Sequence, residues 1–388
     1  MNEILKQCES AFYVFDLERA RARIRFLRAH LPEGVALCYA VKANTFIIGG
    51  LLRDVERFEI CSPGEAEICE KLGVPGNMMV ISGVYKTPSV MEHLVASGGD
   101  RTYTVESLTQ FALLRDLAKT YGRTLPVLLR LTNDSQFGIN QEDIMDIIRD
   151  RAQYPQLDIL GIQFFSGTQK TSAKKLCREI RQLDGLLLKL EQEYGYTARE
   201  LEYGPGFPAC YFEDDIFDEE TYLADFSAGL NAMESKPHIT LELGRGIAAC
   251  CGRYYTHIVD IKHNKGQNYL LIDGGMHHLV YFGQHMAMKH PFLSVCDKEQ
   301  APKTMSWNIC GSLCSMNDIV AKQVELPEVS IGDTICFENT GAYCMTEGIS
   351  LFLSREIPAV YLMDGGDPVC VRQTFDTAPL NTPNSVSY

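Results

Sequence analysis

Residues 35–72 run VALCYAVKANTFIIGGLLRDVERFEICSPGEAEICEKL, in which two short apolar runs each lead into a charged, amphipathic segment. The runs VALCYAV (35–41) and FEICS (58–62) predict buried strands, and the segments that follow them predict helices. The same order continues through six further apolar runs: NMMVISG (77–83), RTYTV (101–105), LPVLLRL (125–131), LDILGIQFF (157–165), ELEYG (200–204) and ITLELG (239–244). Regular alternation over more than 200 residues predicts a parallel sheet.

The number of repeats favours a closed barrel. Eight strand–helix units that close on themselves make a TIM barrel, and an open doubly wound sheet is the main alternative from the pattern alone. After about residue 250, short strands divided by Gly, Pro, Asn and Asp predict an antiparallel β domain. We therefore predict an α/β barrel over 18–252 and a β domain formed by 1–17 and 253–388, with the strand AFYVF (11–15) in the second domain. The polar, Pro-rich tail after about residue 364 is expected to fray.

Charge and composition argue against several classes of function. The chain has 388 residues and a mass of 43.5 kDa, with 36 basic and 50 acidic side chains and a formal charge of −14. A nucleic-acid or anionic-membrane binder needs a basic field, so neither partner is expected. No run of 18 uncharged apolar residues occurs, which predicts that no helix spans a membrane.

The cysteines and the N-terminus predict a reducing location. The N-terminal segment MNEILKQCESAFYVF (1–15) is charged too early for a secretory signal peptide. Fourteen cysteines in a chain without a signal peptide indicate free thiols in the cytoplasm. No C-x-x-C pair occurs, and Cys250 and Cys251 are adjacent, so we expect no metal site.

Several chemically capable residues follow barrel strands, and in a TIM barrel the chemistry sits at the carboxyl ends of the strands. Lys42 directly follows the first strand; it is either an ordinary lysine that extends to the rim or a Schiff-base amine that burial helps to deprotonate. EYGPGFP (202–208) is either an ordinary tight turn or a backbone cradle for a phosphate. Glu242 and Arg245 of LELGRG (241–246) form either an internal ion pair or two contacts to a cofactor.

Ten short motifs, in sequence order, resemble those of the diaminopimelate, ornithine and arginine decarboxylases. They are YAVKANT, EICSPGEAEI, ISGVYKT, QFGI, GIQFFSGTQ, GPGFP, ELGRG, DGGMHH, GSLC and GAY, spread over roughly residues 10–362. These decarboxylases are fold-type III pyridoxal 5'-phosphate (PLP) enzymes with an alanine-racemase-like barrel and a β domain. The resemblance therefore implies PLP as cofactor, this two-domain fold, and decarboxylation of an amino acid or an amino-acyl substrate.

The resemblance also implies a role for each matched residue. Lys42 forms the Schiff base with PLP, Glu242 pairs with the pyridine nitrogen, and Cys314 enters the site from a partner subunit as the proton donor to Cα. A site shared in this way implies a homodimer. Taken alone, Cys314 is equally consistent with a structural role in a Gly-bounded turn, and so is the tyrosine of the GAY motif. The remaining cofactor-binding positions are Thr168, Gly204, Gly206, Arg245 and Tyr343.

Phe165 stands where many members of the family carry a histidine that stacks on the cofactor. An aromatic ring can still stack by its face. The alignment therefore predicts that Phe165 covers the cofactor without titrating or donating a hydrogen bond. Its neighbour Phe164 is assigned to the barrel core.

The segments that would recognise the distal end of a substrate also depart from the family. Ser315 stands where diaminopimelate decarboxylases usually carry a glutamate and ornithine decarboxylases an aspartate, and Tyr281 stands near the place of an arginine. A neutral, apolar or large distal group is therefore expected. The weaker candidates for substrate contact are Asp318, His277 and His278. Adjacent histidines on a strand would face opposite ways, which argues against a metal site.

The motifs DGGMHH, GPGFP and SGTQ are similar to those of a side branch, the butirosin-type decarboxylase, which acts on glutamate tethered to an acyl carrier protein. The charge of −14 does not favour docking of an acidic carrier. Three alternatives remain: an amino-acid racemase of the same fold, the diaminopimelate decarboxylase of lysine biosynthesis, and a non-catalytic PLP-binding regulatory protein. Racemases of this fold are expected to place an arginine at the position of Glu242, and the presence of Lys42 argues against a non-catalytic protein.

Overall fold

A computed structural model describes residues 5–383, which divide into two compact units. The first, here called the barrel unit, consists of Ile24–Pro208 and Asp218–Ile247. The second, here called the sheet unit, consists of the described parts of Met1–Arg23, Ala209–Phe217 and Ala248–Tyr388. The sheet unit therefore takes in residues 209–217, which the predicted boundaries place in the barrel. The first strand of the chain, β1 (Phe12–Asp16), also lies in the sheet unit.

Eight parallel strands close the barrel unit. They are β2 (Ala36–Ala40), β3 (Arg57–Ile60), β4 (Met79–Ile81), β5 (Thr102–Val105), β6 (Leu125–Arg130), β7 (Leu157–Phe165), β8 (Glu200–Gly204) and β9 (His238–Leu243). Each strand pairs in parallel with the next, and β9 pairs with β2, with Leu37 opposite Leu241, to close the ring. The prediction of a TIM-like barrel is thus confirmed, and the open doubly wound sheet is excluded.

Helices alternate with the barrel strands and cover their outer faces. They are α1 (Leu17–His30), α2 (Ile48–Leu51), α3 (Pro63–Lys71), α4 (Pro88–Ser97), α5 (Leu108–Thr120), α6 (Gln141–Arg149), α7 (Ala173–Tyr194), α8 (Glu219–Asn231) and α9 (Arg245–Ala248). On α7, Leu176, Ile180, Leu183 and Leu187 are buried and recur at the spacing of one helix face. The helix ends where Gly195 takes the left-handed conformation, with φ of 60°, which glycine adopts without a steric penalty.

Both faces of the barrel strands are buried, because successive side chains point alternately to the barrel interior and to the helix layer. On β7, Gln163 faces the interior, where its side chain reaches Glu242. The next side chain, Phe164, therefore faces outward, and its ring stacks on that of Tyr203 with centroids 6.4 Å apart. Tyr203 in turn stacks on Phe226 of α8. Phe164 thus packs in the layer between strands and helices, and Phe165 returns to the interior face.

The sheet unit contains a nine-stranded sheet among the described residues. Besides β1, its strands are β10 (Gly252–Asn264), β11 (Gln267–Ile272), β12 (Leu293–Val295), β13 (Met305–Cys310), β14 (Ile319–Leu326), β15 (Thr334–Glu338), β16 (Ala359–Met363) and β17 (Val369–Arg372). The pairs β1–β16 and β11–β13 are parallel, and the other pairs are antiparallel. The stacked rings of Phe12 and Tyr255, with centroids 4.9 Å apart, lie in the core of this unit.

The tail of the chain differs from its prediction. It is not frayed directly after residue 364, because Val369–Arg372 forms β17 against β16 and a short helix, α10 (Ala378–Asn381), follows. The strand β17 alternates exposed and half-buried residues, so it has no apolar run that would reveal it. Within residues 5–383, no helix is both long enough and apolar enough to cross a membrane.

Candidate active site

Lys42 lies at the carboxyl end of the barrel, in the short 3-10 helix Val41–Ala43 that directly follows β2. Its Nζ is 2.7 Å from Oε2 of Glu59 and 3.6 Å from Oε1 of Glu242. Glu59 lies on β3 and Glu242 on β9, the two strands that pair with β2, so closure of the barrel brings the three side chains together. The lysine side chain is 40% exposed and both carboxyl groups are buried. The side chain of Lys42 is therefore partly exposed to a ligand, whereas the carboxyl groups of Glu59 and Glu242 are shielded from solvent.

Glu59 and Glu242 form a hydrogen-bonded pair of buried carboxyl groups. Burial raises the pKa of Glu242, and the negative charge of Glu59 raises it further. Burial also opposes ionisation of Glu59, but the ammonium group of Lys42 and the hydrogen bonds from neighbouring groups outweigh it and lower the pKa of Glu59. The pair therefore shares one proton, which Glu242 holds while Glu59 is charged.

Gln163 orients Glu242 from across the barrel interior. Its Nε2 donates to Oε2 of Glu242 over 2.9 Å. Gln163 is buried, and its Oε1 has no hydrogen-bond partner among the residues that the structure describes. Glu59 and Gln163 are not among the site residues predicted from the sequence, although they lie inside the motifs EICSPGEAEI and GIQFFSGTQ. The available signal was a charged or amide side chain within an apolar strand, because such groups are seldom buried without a partner.

Two loops at the same end of the barrel form a small cradle of backbone and polar side chains. Gly206, after β8, has φ of 66°, and its carbonyl accepts the N–H of Lys170, after β7, over 3.0 Å. A Cβ at Gly206 would lie 2.0 Å from the carbonyl oxygen of Gly167, so this position requires glycine. Arg245 is buried at the end of β9, and its Nε donates to Oγ1 of Thr168 over 3.3 Å. The cradle thus gathers Thr168, Gly206 and Arg245, three of the residues predicted to bind a cofactor.

Phe165 lies at the end of β7, two residues after Gln163 and on the same interior face. A Cβ at Gly204 would lie 2.5 Å from Cδ2 of the Phe165 ring. Glycine at position 204 therefore allows the ring to lie against the backbone of β8. Phe165 is half-buried, so part of its ring remains available to a planar ligand.

These side chains fit a phosphorylated aldehyde cofactor such as PLP. Lys42 supplies the amine, and the carboxyl pair supplies a negative charge and a proton. The guanidinium group of Arg245 and the glycine loop supply a place for a phosphate. The absence of a side chain at Gly206 leaves the backbone of that loop open to close approach.

Cys314, Ser315 and Tyr343 belong to the sheet unit. Cys314 and Ser315 lie in the loop between β13 and β14; the thiol residue is exposed, and the Ser315 hydroxyl accepts the N–H of Asn317 over 3.3 Å. Tyr343, after β15, has φ of 65°, a left-handed conformation that is costly for a residue other than glycine. Twelve other non-glycine residues among those described also have a positive φ, so the role of Tyr343 stays a prediction.

Two of the weaker substrate candidates make contacts that brace the sheet unit. Asp318 is 2% exposed, and its carboxylate oxygens accept the N–H groups of Met276 and Leu313 over 2.7 and 2.8 Å. Asp318 thus braces the loop between β13 and β14, and its contact with a substrate stays a prediction. Tyr281 is also buried, and its hydroxyl donates to the carbonyl of Glu338 over 2.7 Å.

His277 and His278 do not face opposite ways, because residues 276–278 form a turn instead of a strand. Their ring centroids are 3.8 Å apart. Nε2 of His278 donates to the carbonyl of Glu356 over 2.7 Å, and its Nδ1 accepts from the hydroxyl of Tyr254 over 3.0 Å. Burial is the main cause that lowers the pKa of His278 to about 4. The ring of His278 is therefore neutral near pH 7 and fixed within the unit.

A sequence model of one protein family matches residues 12–341 of the chain. That family is described as "Pyridoxal-dependent decarboxylase, C-terminal sheet domain". The chain belongs to this family. It is therefore a PLP-dependent amino-acid decarboxylase, and the alternative of a racemase is not favoured.

The decarboxylase is similar to enzymes that act on different substrates. It is 26% identical over 400 residues to the L-glutamyl-[BtrI acyl-carrier protein] decarboxylase of Niallia circulans, covering 95% of this chain and 92% of that one. It is 25% identical over 379 residues to the 2-[(L-alanin-3-ylcarbamoyl)methyl]-2-hydroxybutanedioate decarboxylase of Staphylococcus aureus, covering 90% and 93% of the two chains. Its fold matches the crystal structure of diaminopimelate decarboxylase from M. jannaschii in complex with L-lysine, with a TM-score of 0.85, 22% identity, and coverage of 99% and 94%.

Proposed function

We propose that the decarboxylase binds PLP through Lys42, with Glu242 facing the pyridine nitrogen and Arg245 near the phosphate. The observation that carries this proposal is the cluster at the carboxyl end of the barrel, where an accessible amine lies 2.7 Å from one buried carboxyl group and 3.6 Å from another. When bound, PLP withdraws electrons from the bond between Cα and the carboxylate of the substrate, which is the difficult step of decarboxylation.

The protein's own groups control protons around that chemistry. Glu59 accepts from Nζ of Lys42 over 2.7 Å, and its charge stabilises a proton on that nitrogen. Glu242 is oriented by Gln163 and holds the proton that the carboxyl pair shares. It would pass that proton to a pyridine nitrogen facing it, and the resulting carboxylate would stabilise the protonated ring, which suits decarboxylation. For the proton that Cα receives, we propose the exposed thiol of Cys314 as donor.

Borohydride reduction tests the cofactor site. The purified protein should absorb as lysine-bound PLP, and reduction should fix the cofactor on the peptide that contains Lys42. Lys42→Ala should be colourless and form no adduct, whereas the control Lys71→Ala, at an exposed surface ion pair, should behave as wild type. An adduct on Lys86, which is buried, or on Lys170, which is partly buried in an ion pair with Glu179, would overturn the assignment.

For the substrate, we propose an amino acid whose distal end is uncharged and extended through an amide or a thioester. Ser315 and Tyr281 stand where charged residues would meet a free distal amine or carboxylate, and the Tyr281 hydroxyl is already bonded to a backbone carbonyl. A cavity of about 470 Å³ is lined by Tyr281 and by apolar side chains that include Met276, Met286 and Met316. The same cavity is also lined by Gln284, His285, Asn317 and Lys322. A cavity of this size has room for an extension beyond the amino-acid side chain.

The substrates of two relatives support this proposal. One relative acts on an L-glutamyl group attached to an acyl-carrier protein, and the other acts on an alanine joined through a carbamoyl group. In both substrates the distal end of the amino acid is bonded to a further group and is not a free amine or carboxylate; in the second, the group beyond the amide is a hydroxybutanedioate with two carboxylates. The carrier-bound form requires docking of a protein, whereas the amide-linked form does not, so the two are separate arms of the test.

Carbon dioxide release tests the substrate. The assay compares meso-diaminopimelate, ornithine, lysine, arginine, carrier-bound glutamate and an amide-extended amino acid under the same conditions. The extended substrates should have the highest kcat/KM, since a buried ionic group without its partner costs several kcal/mol and each 1.4 kcal/mol is about tenfold. A kcat/KM for meso-diaminopimelate at or above about 10⁴ M⁻¹s⁻¹, the lower end of ordinary enzyme efficiency, would refute the proposal in favour of lysine biosynthesis.

We infer that the working unit is a homodimer with shared active sites. Met316, which follows Cys314 and Ser315, is 95% exposed, and Met286 on the same cavity is also exposed. Exposed apolar side chains next to a proposed catalytic thiol are typical of a surface that a partner covers. The fourteen cysteines, all free thiols within residues 5–383, support a reducing, cytoplasmic location as part of the same proposal.

A further inference from the structure

The thiol of Cys61 lies within the lysine–carboxyl cluster and has no role in the function proposed above. Its Sγ donates to Oε1 of Glu59 over 3.0 Å, and the same sulfur lies 3.6 Å from Nζ of Lys42. The other oxygen of Glu59, Oε2, accepts from Nζ of Lys42 over 2.7 Å. Glu59 therefore has a different donor on each of its two oxygens.

The backbone of Cys61 is fixed by the start of α3. Ser62 is the N-cap residue, and its Oγ accepts the N–H of Glu65 over 3.2 Å. The carboxylate of Glu65 reaches back and accepts the N–H of Cys61 over 2.6 Å. These reciprocal bonds resemble a capping box, which fixes the entry of the chain into the helix. The backbone position of Cys61 is thus held by the start of α3, and from that position its thiol reaches Glu59.

The surroundings of Cys61 make it a donor instead of a nucleophile. Burial raises the pKa of the Cys61 thiol, and the charge of Glu59 raises it further. A thiol that stays protonated keeps its S–H for the carboxylate, and only the thiolate form is strongly nucleophilic. The other titratable groups that face this thiol–carboxylate pair are Lys42, Glu242, Glu65 and Lys86.

We propose that Cys61 is a positioning residue that selects Glu59 as the ionised member of the carboxyl pair. A donor on Oε1 stabilises the carboxylate form of Glu59, which keeps the negative charge beside Lys42 and leaves the shared proton on Glu242. The benefit of this proton placement for catalysis rests on the proposed function of Lys42 and Glu242. The hydrogen bond between Cys61 and Glu59 exists whether or not that function is correct, so it can be tested in protein that holds no cofactor.

Carboxyl ionisation in the cofactor-free protein tests the proposal. Protein labelled with glutamate that carries ¹³C at the side-chain carboxyl is titrated by NMR, and Glu59→Gln and Glu242→Gln assign the two signals. In Cys61→Ala the ionisation midpoint of Glu59 should rise by about one pH unit, a tenfold change in proton affinity, since one donor to a charge is lost. Cys61→Ser keeps a donor and should stay within about 0.3 unit of wild type. Cys177→Ala, whose thiol donates to a backbone carbonyl elsewhere on the barrel, should titrate as wild type.

An equal shift in Cys61→Ala and Cys61→Ser, or no shift in either, would overturn the proposal. Infrared spectroscopy gives a second measurement that does not need the alanine variant to fold. The S–H stretch of Cys61, obtained by subtracting the spectrum of Cys61→Ser from that of the wild type, should have the lowered frequency of a bonded thiol and should rise in Glu59→Gln. A stretch typical of an unbonded thiol refutes the proposal. If borohydride reduction fails to place the cofactor on Lys42, the carboxyl titration and the S–H stretch can still be measured. The proposal for Cys61 and the proposal for Lys42 can therefore be refuted independently.

Discussion

Replacement of Gly206 by alanine tests the proposed phosphate cradle. The added Cβ would lie 2.0 Å from the carbonyl oxygen of Gly167 and 3.1 Å from Cα of Thr168, at a residue whose φ is 66°. Ordinary contact of a Cβ begins at 3.4 Å. The loop after β8 must therefore move away from the loop after β7 by about 1.4 Å, the difference between 2.0 Å and 3.4 Å.

The cost of this movement has two parts. The left-handed conformation costs alanine about 1–2 kcal/mol relative to glycine, and loss of the hydrogen bond from the Lys170 N–H to the Gly206 carbonyl costs about 1 kcal/mol. We expect the free energy of unfolding of the cofactor-free protein to fall by about 2–3 kcal/mol. Loss of one charge-assisted hydrogen bond to the phosphate, at about 1.5–3 kcal/mol, should raise the Kd of PLP by at least about tenfold.

The assay is a PLP titration of cofactor-free protein, followed by absorbance, together with urea unfolding in the absence of PLP. Gly185→Ala is the matched control, because Gly185 lies inside α7 and no atom lies within 4 Å of its added Cβ. That control should gain about 0.5–1 kcal/mol of stability and keep the wild-type Kd. A Kd for Gly206→Ala within about twofold of wild type would refute the cradle. If that variant does not fold, Thr168→Val removes the hydroxyl that accepts from Arg245 and should weaken PLP binding without backbone strain.

Mixing inactive Lys42→Ala with inactive Cys314→Ala protein should restore up to about a quarter of wild-type activity if a symmetric dimer shares its sites; no recovery after proven subunit exchange would contradict sharing. Arg57→Met breaks a largely buried ion pair with a barrel carboxylate and should lower the free energy of urea unfolding by about 3–5 kcal/mol. Arg199→Met removes an exposed ion pair and should lower the free energy of unfolding by about 1 kcal/mol or less. Equal losses of stability in the two variants would contradict the burial of the Arg57–Glu200 pair. The pKa of His278 falls from 6.5 to about 4 on folding, so between these values only the unfolded chain binds the proton. The contribution of His278 to stability should therefore rise with pH through this window and level off above it, and His278→Gln should make the free energy of urea unfolding rise less steeply with pH there than in wild type.

The barrel could be predicted from the sequence, and the cluster around Lys42 could be predicted only in part. Burial on both faces makes each barrel strand an apolar run; Lys42 directly follows the first of these runs, and Glu242 lies near the end of the last, just before the ELGRG turn. Glu59 lies within a strand, and its significance appears only when closure of the barrel places β3 and β9 on either side of β2. Gln163 needs the same closure to reach Glu242, 79 residues further along the chain.

The sheet unit was harder to predict because its polar side chains bond to distant backbone groups. Asp318 accepts from the N–H of Met276, 42 residues away, and His278 donates to the carbonyl of Glu356, 78 residues away. Neither partner carries a side-chain signal that sequence reasoning could use. The three-residue strand β12 and the exposed strand β17 are likewise set by pairing with their neighbours and not by apolar runs.

The placement of β1 has a consequence for the synthesis of the protein. Four of its five residues are buried in the finished sheet, yet Phe12 lies opposite Ala359 on β16, and 359 minus 12 is 347 residues. At about 5–20 residues per second, the ribosome makes that partner roughly 17–70 s after β1. The whole barrel unit is made in this interval, and β10, the other neighbour of β1, follows it. Until β16 is made, β1 therefore keeps at least one unpaired edge, a template for unwanted pairing. Nascent chains that stop before β16 should therefore bind chaperones and aggregate more readily than chains that stop after it.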